Sequence, residues 1–298
     1  MKEKLTNPLP RLNTWAVVED TLKAERRGMD AIFTLGNGYI GCRGFFEEEQ
    51  EDIGALGGIY MAGVFGGGAL KAWKGMHREL VNTPNFLWSS ISVDGEQVLA
   101  RPDRIIKYTR SLNMRDGTMT RSLVWRSTKG VQVRFDFERF ISVAELHIAG
   151  QRIQITPLNG APRIEIISGI NANVVQHNMV TTIPLPVQPG RRHLKTLQVL
   201  DNIIETQIDT LPDGVRIAQG QQVLVDGPAG RITGSFASSQ GLLAERFVFT
   251  GKANAPTRLT KIVHFFTSRD GNAMALLRRR IKLSFNYDQL LASHKREW

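Results

Sequence analysis

Apolar and polar residues alternate strictly over residues 131–138. Val131, Val133, Phe135 and Phe137 fall on one face, Gln132, Arg134, Asp136 and Glu138 on the other. A period of two turns one side to a core and the other to water, so this run predicts a half-buried β-strand. Similar runs recur between dipeptides that favour left-handed backbone. Asp94-Gly95 separates Ile91-Ser92-Val93 from Gln97-Val98-Leu99, Asp116-Gly117 precedes the run from Met119 to Trp125, and Lys129-Gly130 leads into Val131. Further strands are predicted over 151–156, 163–168, 201–208, 215–218, 222–225, 245–250 and 258–266, with Pro184, Pro186 and Pro189 marking a long connection. Turns so spaced between alternating runs belong to an antiparallel sandwich and not to a parallel α/β sheet. Residues up to Leu22, with Pro8 and Pro10, read as an extended arm that reaches the body at Trp15.

Beyond Asp270-Gly271 the period changes. Ala273, Leu276, Leu277 and Ile281 keep helical spacing, residues 284–288 supply a break with capping side chains, and Leu290, Leu291, His294 and Trp298 start a second helical stripe. Trp298 falls in mid-pattern with no Gly, Asn or Pro behind it. The last turn is therefore expected to lack a cap and a packing surface, leaving an apolar stripe open for an intramolecular interface or self-association.

Near the start of the chain, Ile32-Phe33-Thr34-Leu35-Gly36-Asn37-Gly38-Tyr39-Ile40-Gly41-Cys42-Arg43-Gly44 brings apolar residues to both sides of an Asn-Gly pair. Asn37 and Gly38 tolerate positive φ and predict a two-residue type I′ hairpin turn. Gly36, Gly38 and Gly41 also satisfy G-x-G-x-x-G. A dinucleotide fingerprint needs a helix opening at the glycines and an acid about twenty positions on. Here Phe45-Phe46-Glu47-Glu48-Glu49 and then Gly54, Gly57, Gly58 and Gly63 follow, and Met61 stands where the acid belongs. The hairpin reading holds.

The chain has 298 residues, 42% apolar and 22% charged, which suits a globular protein with one large or two small domains. No apolar run reaches the ~18 residues of a membrane helix, and the opening residues lack a signal peptide's apolar stretch. Cys42 is the single cysteine, so no intrachain disulfide forms and a cytoplasmic location is expected. The net charge of +10 raises nucleic-acid binding. Its dense runs, Arg191-Arg192-His193-Leu194-Lys195 and Arg278-Arg279-Arg280-Ile281-Lys282, lie far apart and lack the aromatics that stack on bases. They read as a solvated face and as a helix whose late cations suit its dipole, so neither a nucleic-acid nor a membrane partner is expected.

Several ordered motifs resemble one family. The run Gly38-Tyr39-Ile40-Gly41-Cys42-Arg43-Gly44 is followed by acidic residues, by Gly58-Ile59-Tyr60-Met61-Ala62-Gly63 and by Glu79-Leu80-Val81-Asn82-Thr83-Pro84-Asn85-Phe86. Then come Tyr108-Thr109-Arg110-Ser111-Leu112-Asn113-Met114-Arg115-Asp116-Gly117, Thr120-Arg121 and Glu138-Arg139-Phe140-Ile141-Ser142. Together these resemble the N-terminal domain of glycoside hydrolase family 65, which holds inverting phosphorylases of maltose, trehalose, kojibiose and nigerose and a few hydrolases. Asn113 stands where the family usually has Asp, and Phe86 where it usually has Trp. The resemblance implies an all-β fold, a large antiparallel super-β-sandwich over residues 1–270. It also implies a short helical linker over 271–298 that leads in the family into an (α/α)6 catalytic barrel, which these residues do not include. The implied role is that of a non-catalytic domain, inactive alone, that meets an α-glucosidic disaccharide through that barrel and contributes to a homodimer. The whole family enzyme takes inorganic phosphate as co-substrate and no cofactor. The alternative is a free-standing carbohydrate-binding or pseudo-enzyme module.

Candidate chemistry within the chain is sparse. Inverting glycosyl transfer needs an acid for the leaving oxygen and an activated water or phosphate on the opposite face; in this family both sites belong to the barrel. Asp136 and Glu138 read as the solvated side of a strand, and Glu47, Glu48, Glu49, Glu51 and Asp52 as an acidic loop without fixed geometry, so no catalytic residue is assigned. The six histidines, His77, His147, His177, His193, His264 and His294, are scattered without metal-ligand spacing, and no serine elbow is present. Residues 65–77, glycine-rich at the start and carrying Trp73, look too irregular for a strand and predict a long loop. Gly66, Trp73 and Met76 are its candidate substrate-binding residues, on the acceptor-sugar side of a neighbouring barrel, against the plainer possibility that Trp73 pins the loop into the core.

Overall fold

The computed structural model describes residues 11–22, 29–48, 57–69, 76–176, 192–211, 214–227, 232–236 and 238–298. In chain order the strands are β1 (Arg11–Asn13), β2 (Ala16–Glu19), β3 (Leu35–Gly36), β4 (Ile40–Cys42), β5 (Ile59–Met61), β6 (Phe65–Ala69), β7 (Met76–Leu80), β8 (Ser89–Val93), β9 (Glu96–Gln97) and β10 (Ile105–Asn113). There follow β11 (Thr118–Arg126), β12 (Gln132–Ile141), β13 (Ile148–Pro157), β14 (Arg163–Asn171), β15 (Leu194–Leu200), β16 (Ile203–Ile208), β17 (Arg216–Asp226), β18 (Thr233–Phe236), β19 (Leu242–Thr250) and β20 (Thr257–Thr267). The helices are α1 (Met29–Ile32), α2 (Ala273–Arg280) and α3 (Tyr287–Glu297).

Ten strands form one antiparallel sheet in the order β1-β2-β10-β11-β12-β13-β20-β17-β16-β15, and five form another, β18-β19-β14-β8-β9. This is the expected super-β-sandwich. The strand foreseen from strict alternation is β12, with Val133, Phe135 and Phe137 buried. Two apolar clusters fill the interior: one holds Phe33, Met119, Ile141, Ile170 and Val263, the other Ile91, Trp125, Phe135, Ile164 and Leu259. Between them the inward positions are polar.

Several expectations are corrected. The arm pairs with itself as β1 and β2; Trp15 meets the body through its backbone, its carbonyl accepting from the Met114 N–H at 2.7 Å, while its side chain stays 56% exposed and Val17 packs on the core instead. The first hairpin turns one residue later than predicted. Asn37 and Ile40 close it, so Gly38 and Tyr39 are the central pair, and only Gly38 has positive φ, at 85°. Asn37 serves as an anchor: its Oδ1 accepts from the Tyr39 and Ile40 N–H groups, while its Nδ2 donates to the Ser142 and Leu146 carbonyls. The runs 215–218 and 222–225 are one strand, β17, because Gln219 and Gln221 point inward as buried polar residues. Strand β15 lacks a readable alternation, since Leu194 and Val199 pack on the core while Leu197 and Leu200 stay exposed across a register shift between Thr196 and Gln198.

Both long helices lie on the outer face of the larger sheet. Ala273, Met274 and Leu277 pack on Ile203, Ala218 and Phe266; Tyr287 and Leu290 pack on Phe140, Ile148 and Ile262. Asn272 and Asn286 cap them, each accepting from a backbone N–H three residues on. Close approach needs bare backbone at two sheet positions. A Cβ at Gly150 would lie 2.3 Å from the Phe140 ring, and one at Gly220 would lie 2.4 Å from Ile281. The last turn does have a packing surface, contrary to expectation. The Trp298 indole N–H donates to the Met114 carbonyl at 2.8 Å and its ring leans on His294, although 48% of the residue stays exposed.

Candidate functional site

Acids are the first place to look for glycosidic chemistry, and here their partners decide the matter. On six neighbouring strands of the larger sheet the inward position between the two apolar clusters is filled by Arg110 (β10), Arg121 (β11), Arg139 (β12), Gln151 (β13), Lys261 (β20) and Gln221 (β17), all buried. Arg110 faces Arg121 across the register, and Arg139, Gln151 and Lys261 face one another in turn. The result is a polar belt across the middle of the sandwich.

Two irregular segments that thread between the sheets explain the belt. Buried backbone outside a ladder still needs hydrogen-bond partners. For residues 43–45 the partners are arginines: Arg139 donates to the Arg43 and Phe45 carbonyls, and Arg110 to that of Gly44. For residues 84–88 they are Gln219 to Pro84, Gln151 to Leu87, and the Lys261 ammonium to Phe86 at 2.8 Å and to Trp88 at 3.5 Å; Lys261 also donates to the Gly169 carbonyl of β14 at 3.1 Å. Both segments begin within the family-like motifs, at Arg43 and Pro84.

Buried cations need counter-charges, which Glu47 and Glu48 just beyond the first segment, Glu19 of β2 and Asp30 of α1 supply. Arg121 donates to Glu48 at 2.6 Å and to Glu47 at 2.7 Å, with its guanidinium 4.0 Å from the ring centres of both Phe46 and Phe137. Arg139 reaches Glu47 at 3.2 Å, and Arg110 pairs with Glu19 at 2.9 Å and Asp30 at 3.4 Å. Glu47 and Glu48 are thus fixed and buried, not an acidic loop without geometry; Glu49, Glu51 and Asp52 lie outside the described residues. Burial works to raise the Glu47 pKa, but Arg121 and Arg139 outweigh it and hold the carboxyl below its ordinary range. A general acid needs the opposite shift. On the outer face Asp136 bonds Ser122 and Arg134, and Glu138 accepts from Tyr287.

The glycine-rich stretch is not a loop throughout. β6 and β7 form a hairpin with Phe65 opposite Leu80, Gly66 opposite Glu79 and Ala69 opposite Met76. Residues 70–75, with Trp73, lie outside the described residues, so of the three candidates the structure brings Gly66 and Met76 onto paired strands, at opposite ends. The glycine composition that argued against a strand has a local cause. A Cβ at Gly66 would sit 2.5 Å from His193 Nδ1 and 2.8 Å from a Val81 methyl.

His193 ties the base of this hairpin to the sandwich. The Gly67 N–H donates to Thr210 Oγ1 at 3.0 Å, which leaves the Thr210 hydroxyl to donate to His193 Nδ1 at 2.9 Å and His193 Nε2–H to donate to Glu79 at 2.6 Å. Sequence reasoning placed His193 in a solvated basic run; it is buried. Among the described residues no group of three or more His, Cys, Asp or Glu is placed to hold a metal ion.

The family model for the N-terminal domain of glycosyl hydrolase family 65 matches residues 17–298. The kojibiose phosphorylase of Thermoanaerobacter brockii is 28% identical over 269 residues, 86% of this chain and 33% of its own length. That of Escherichia coli K12 is 26% identical over 287 residues, 90% of this chain and 34% of its own length. The α,α-trehalose phosphorylase of Geobacillus stearothermophilus is 30% identical over 202 residues, 64% of this chain and 26% of its own length. The chain therefore spans about a third or less of the length of the curated relatives it matches. A solved structure assigned as a kojibiose phosphorylase from the human microbiome shares the fold, with a TM-score of 0.79 over 96% of this chain and 38% of that one at 17% identity. The chain belongs to glycosyl hydrolase family 65, whose N-terminal domain it forms.

Proposed function

We propose that this domain is the non-catalytic part of a carbohydrate-active enzyme that works on α-glucosidic disaccharides by inverting phosphorolysis or hydrolysis, and that it is inactive alone. The observation that carries this reading is the family match over residues 17–298 in a chain that spans about a third of the kojibiose phosphorylases it resembles. Relatives named as kojibiose and trehalose phosphorylases favour an α-glucoside as substrate and inorganic phosphate as co-substrate of the whole enzyme. The buried acids support it too, because Glu47 and Glu48 are spent as counter-ions of Arg121 and Arg139.

In this reading the sandwich supports a catalytic barrel, and the hairpin clamped by His193 carries Gly66, Trp73 and Met76 toward the acceptor sugar. Clamping the base while glycine fills the strand would fix where the tip emerges. Among the described residues no helix is long and apolar enough to cross a membrane; the reading adds a cytoplasmic homodimer. The test is to incubate the purified 298-residue chain with kojibiose, maltose, trehalose or nigerose, with and without phosphate. No release of glucose or glucose 1-phosphate is expected, and reproducible release would overturn the proposal.

A further inference from the structure

The outer face of the larger sheet holds a cleft of about 370 Å³ that shares no residue with the hairpin clamp. Its floor comes from three adjacent strands, with Arg152 opposite Thr260, Thr260 opposite Leu224, and Arg258 opposite Asp226 in the register. Its wall is the connection between α2 and α3, at Ser284, Phe285 and Asn286. Gln222 fastens that wall by donating to the Ile281 carbonyl at 2.9 Å and the Leu283 carbonyl at 2.8 Å. The cleft is therefore preformed.

Its polar groups divide into those already used and those left over. Arg152 is committed: it pairs with Asp288 at 2.7 Å and covers the Tyr287 ring at 3.9 Å. Arg258 and Asp226 are direct register partners, yet among the described residues the Arg258 guanidinium makes only a 3.5 Å contact with Gln154, and the Asp226 carboxylate has no hydrogen-bond partner. The Thr260 and Ser284 hydroxyls likewise have none among the described residues. Leu224, 64% exposed, supplies the apolar surface on the β17 side of the floor, and Phe285 lines the same cleft. Two arginines and two aspartates line the cleft, so its formal charge is zero.

That combination selects a chemistry. A carboxylate beside a guanidinium accepts from one hydroxyl and donates to the next, which matches neighbouring hydroxyls on a ring. One exposed apolar side chain in the floor, Leu224, takes the C–H face of the same ring, and a lining without net charge gives an anion no advantage. The volume lies at the low end for small-molecule sites, enough for one or two such rings. We propose that this cleft is a binding site for a neutral pyranose sugar, held by Asp226 and Arg258 on adjacent hydroxyls and by Leu224 beneath the ring.

The test is a titration of the 298-residue chain with methyl α-D-glucopyranoside, followed through the methyl resonances of Leu224 and Thr260. Saturable shifts at both are expected. Asp226→Asn and Arg258→Gln should each weaken binding about tenfold or more; the exposed Asp226 should change without moving the melting temperature, and the half-buried Arg258 is read against its own measured melting temperature. Absence of saturable shifts, or variants that bind like the parent chain, would overturn the proposal. So would saturation of the same signals by inorganic phosphate without any response to the sugar, because the cleft would then be an anion site. None of these outcomes depends on whether the chain releases glucose from a disaccharide.

Discussion

Arg110 and Arg121 face each other directly across β10 and β11, both with no exposed surface to speak of, and both lie over the Phe46 ring, at 5.1 and 4.0 Å from its centre. Like charges in such positions repel. Four carboxylates resolve the conflict, Glu19 and Asp30 on one guanidinium and Glu47 and Glu48 on the other. A buried ionic group of this kind holds only when complete, because removing one member strands an uncompensated charge. The belt thus explains why Glu47, buried beside two guanidiniums, is held as a carboxylate and not as the acid that glycosidic chemistry needs.

Lys261 extends the belt and predicts an unusual pH dependence. Burial pulls its pKa down to about 7, while the ordinary value for the unfolded chain is 10.5. Between these values the unfolded state holds a proton that the folded state has lost, so this group makes stability rise with pH. Urea midpoints of the parent chain should increase from about pH 7 to about pH 8.5 relative to those of Lys261→Met. Parallel curves for the two proteins would show that Lys261 keeps its proton when folded.

The hairpin clamp predicts a local effect. Gly66→Ala drives a methyl against His193 and Val81, and Thr210→Val leaves the Gly67 N–H without its acceptor, a loss on the order of 1–3 kcal/mol. Amide exchange in β6 and β7 should quicken in both variants while β12 and β13 keep their protection. If the hairpin amides exchange as in the parent chain, the clamp has no part in holding it.

Trp73 tests the acceptor-side reading. In a full-length family member built on this domain, Trp73→Ala should raise the acceptor Michaelis constant in the synthetic direction more than that of phosphate. The expected loss is about 1–3 kcal/mol, the scale for one large apolar side chain. An unchanged acceptor constant, or a stability loss that accounts for all the lost activity, would leave the hairpin with a structural part only.

The sandwich was legible because its signals are local. The alternation in β12, the left-handed residues Asp94, Gly95 and Gly130 at the turns, and the helical spacing after Gly271 each report on a few neighbouring positions. The belt was not legible, because nothing near Arg121 in sequence marks it as buried; its partners are more than seventy positions away. The motifs holding Arg43, Pro84, Arg110 and Arg139 could be quoted from the chain, but their shared purpose, satisfying carbonyls between two sheets, depends on register. His193 was misplaced for a related reason: it sits among cations in sequence and beside Glu79 only in space. In β6 glycine hid a strand, since the volume a side chain at Gly66 would fill is taken by His193 and Val81.

That the buried acids are counter-ions of the fold and not reactants is tested most directly by a double-mutant cycle on Arg121→Met and Glu48→Gln, read by urea unfolding of the 298-residue chain. Arg121→Met alone should cost about 3–5 kcal/mol, since it leaves two carboxylates buried without their main partner. Adding Glu48→Gln should recover part of that loss, with a coupling energy toward the upper end of about 0.5–3 kcal/mol. Two effects that simply add, to within about 0.5 kcal/mol, would contradict the account.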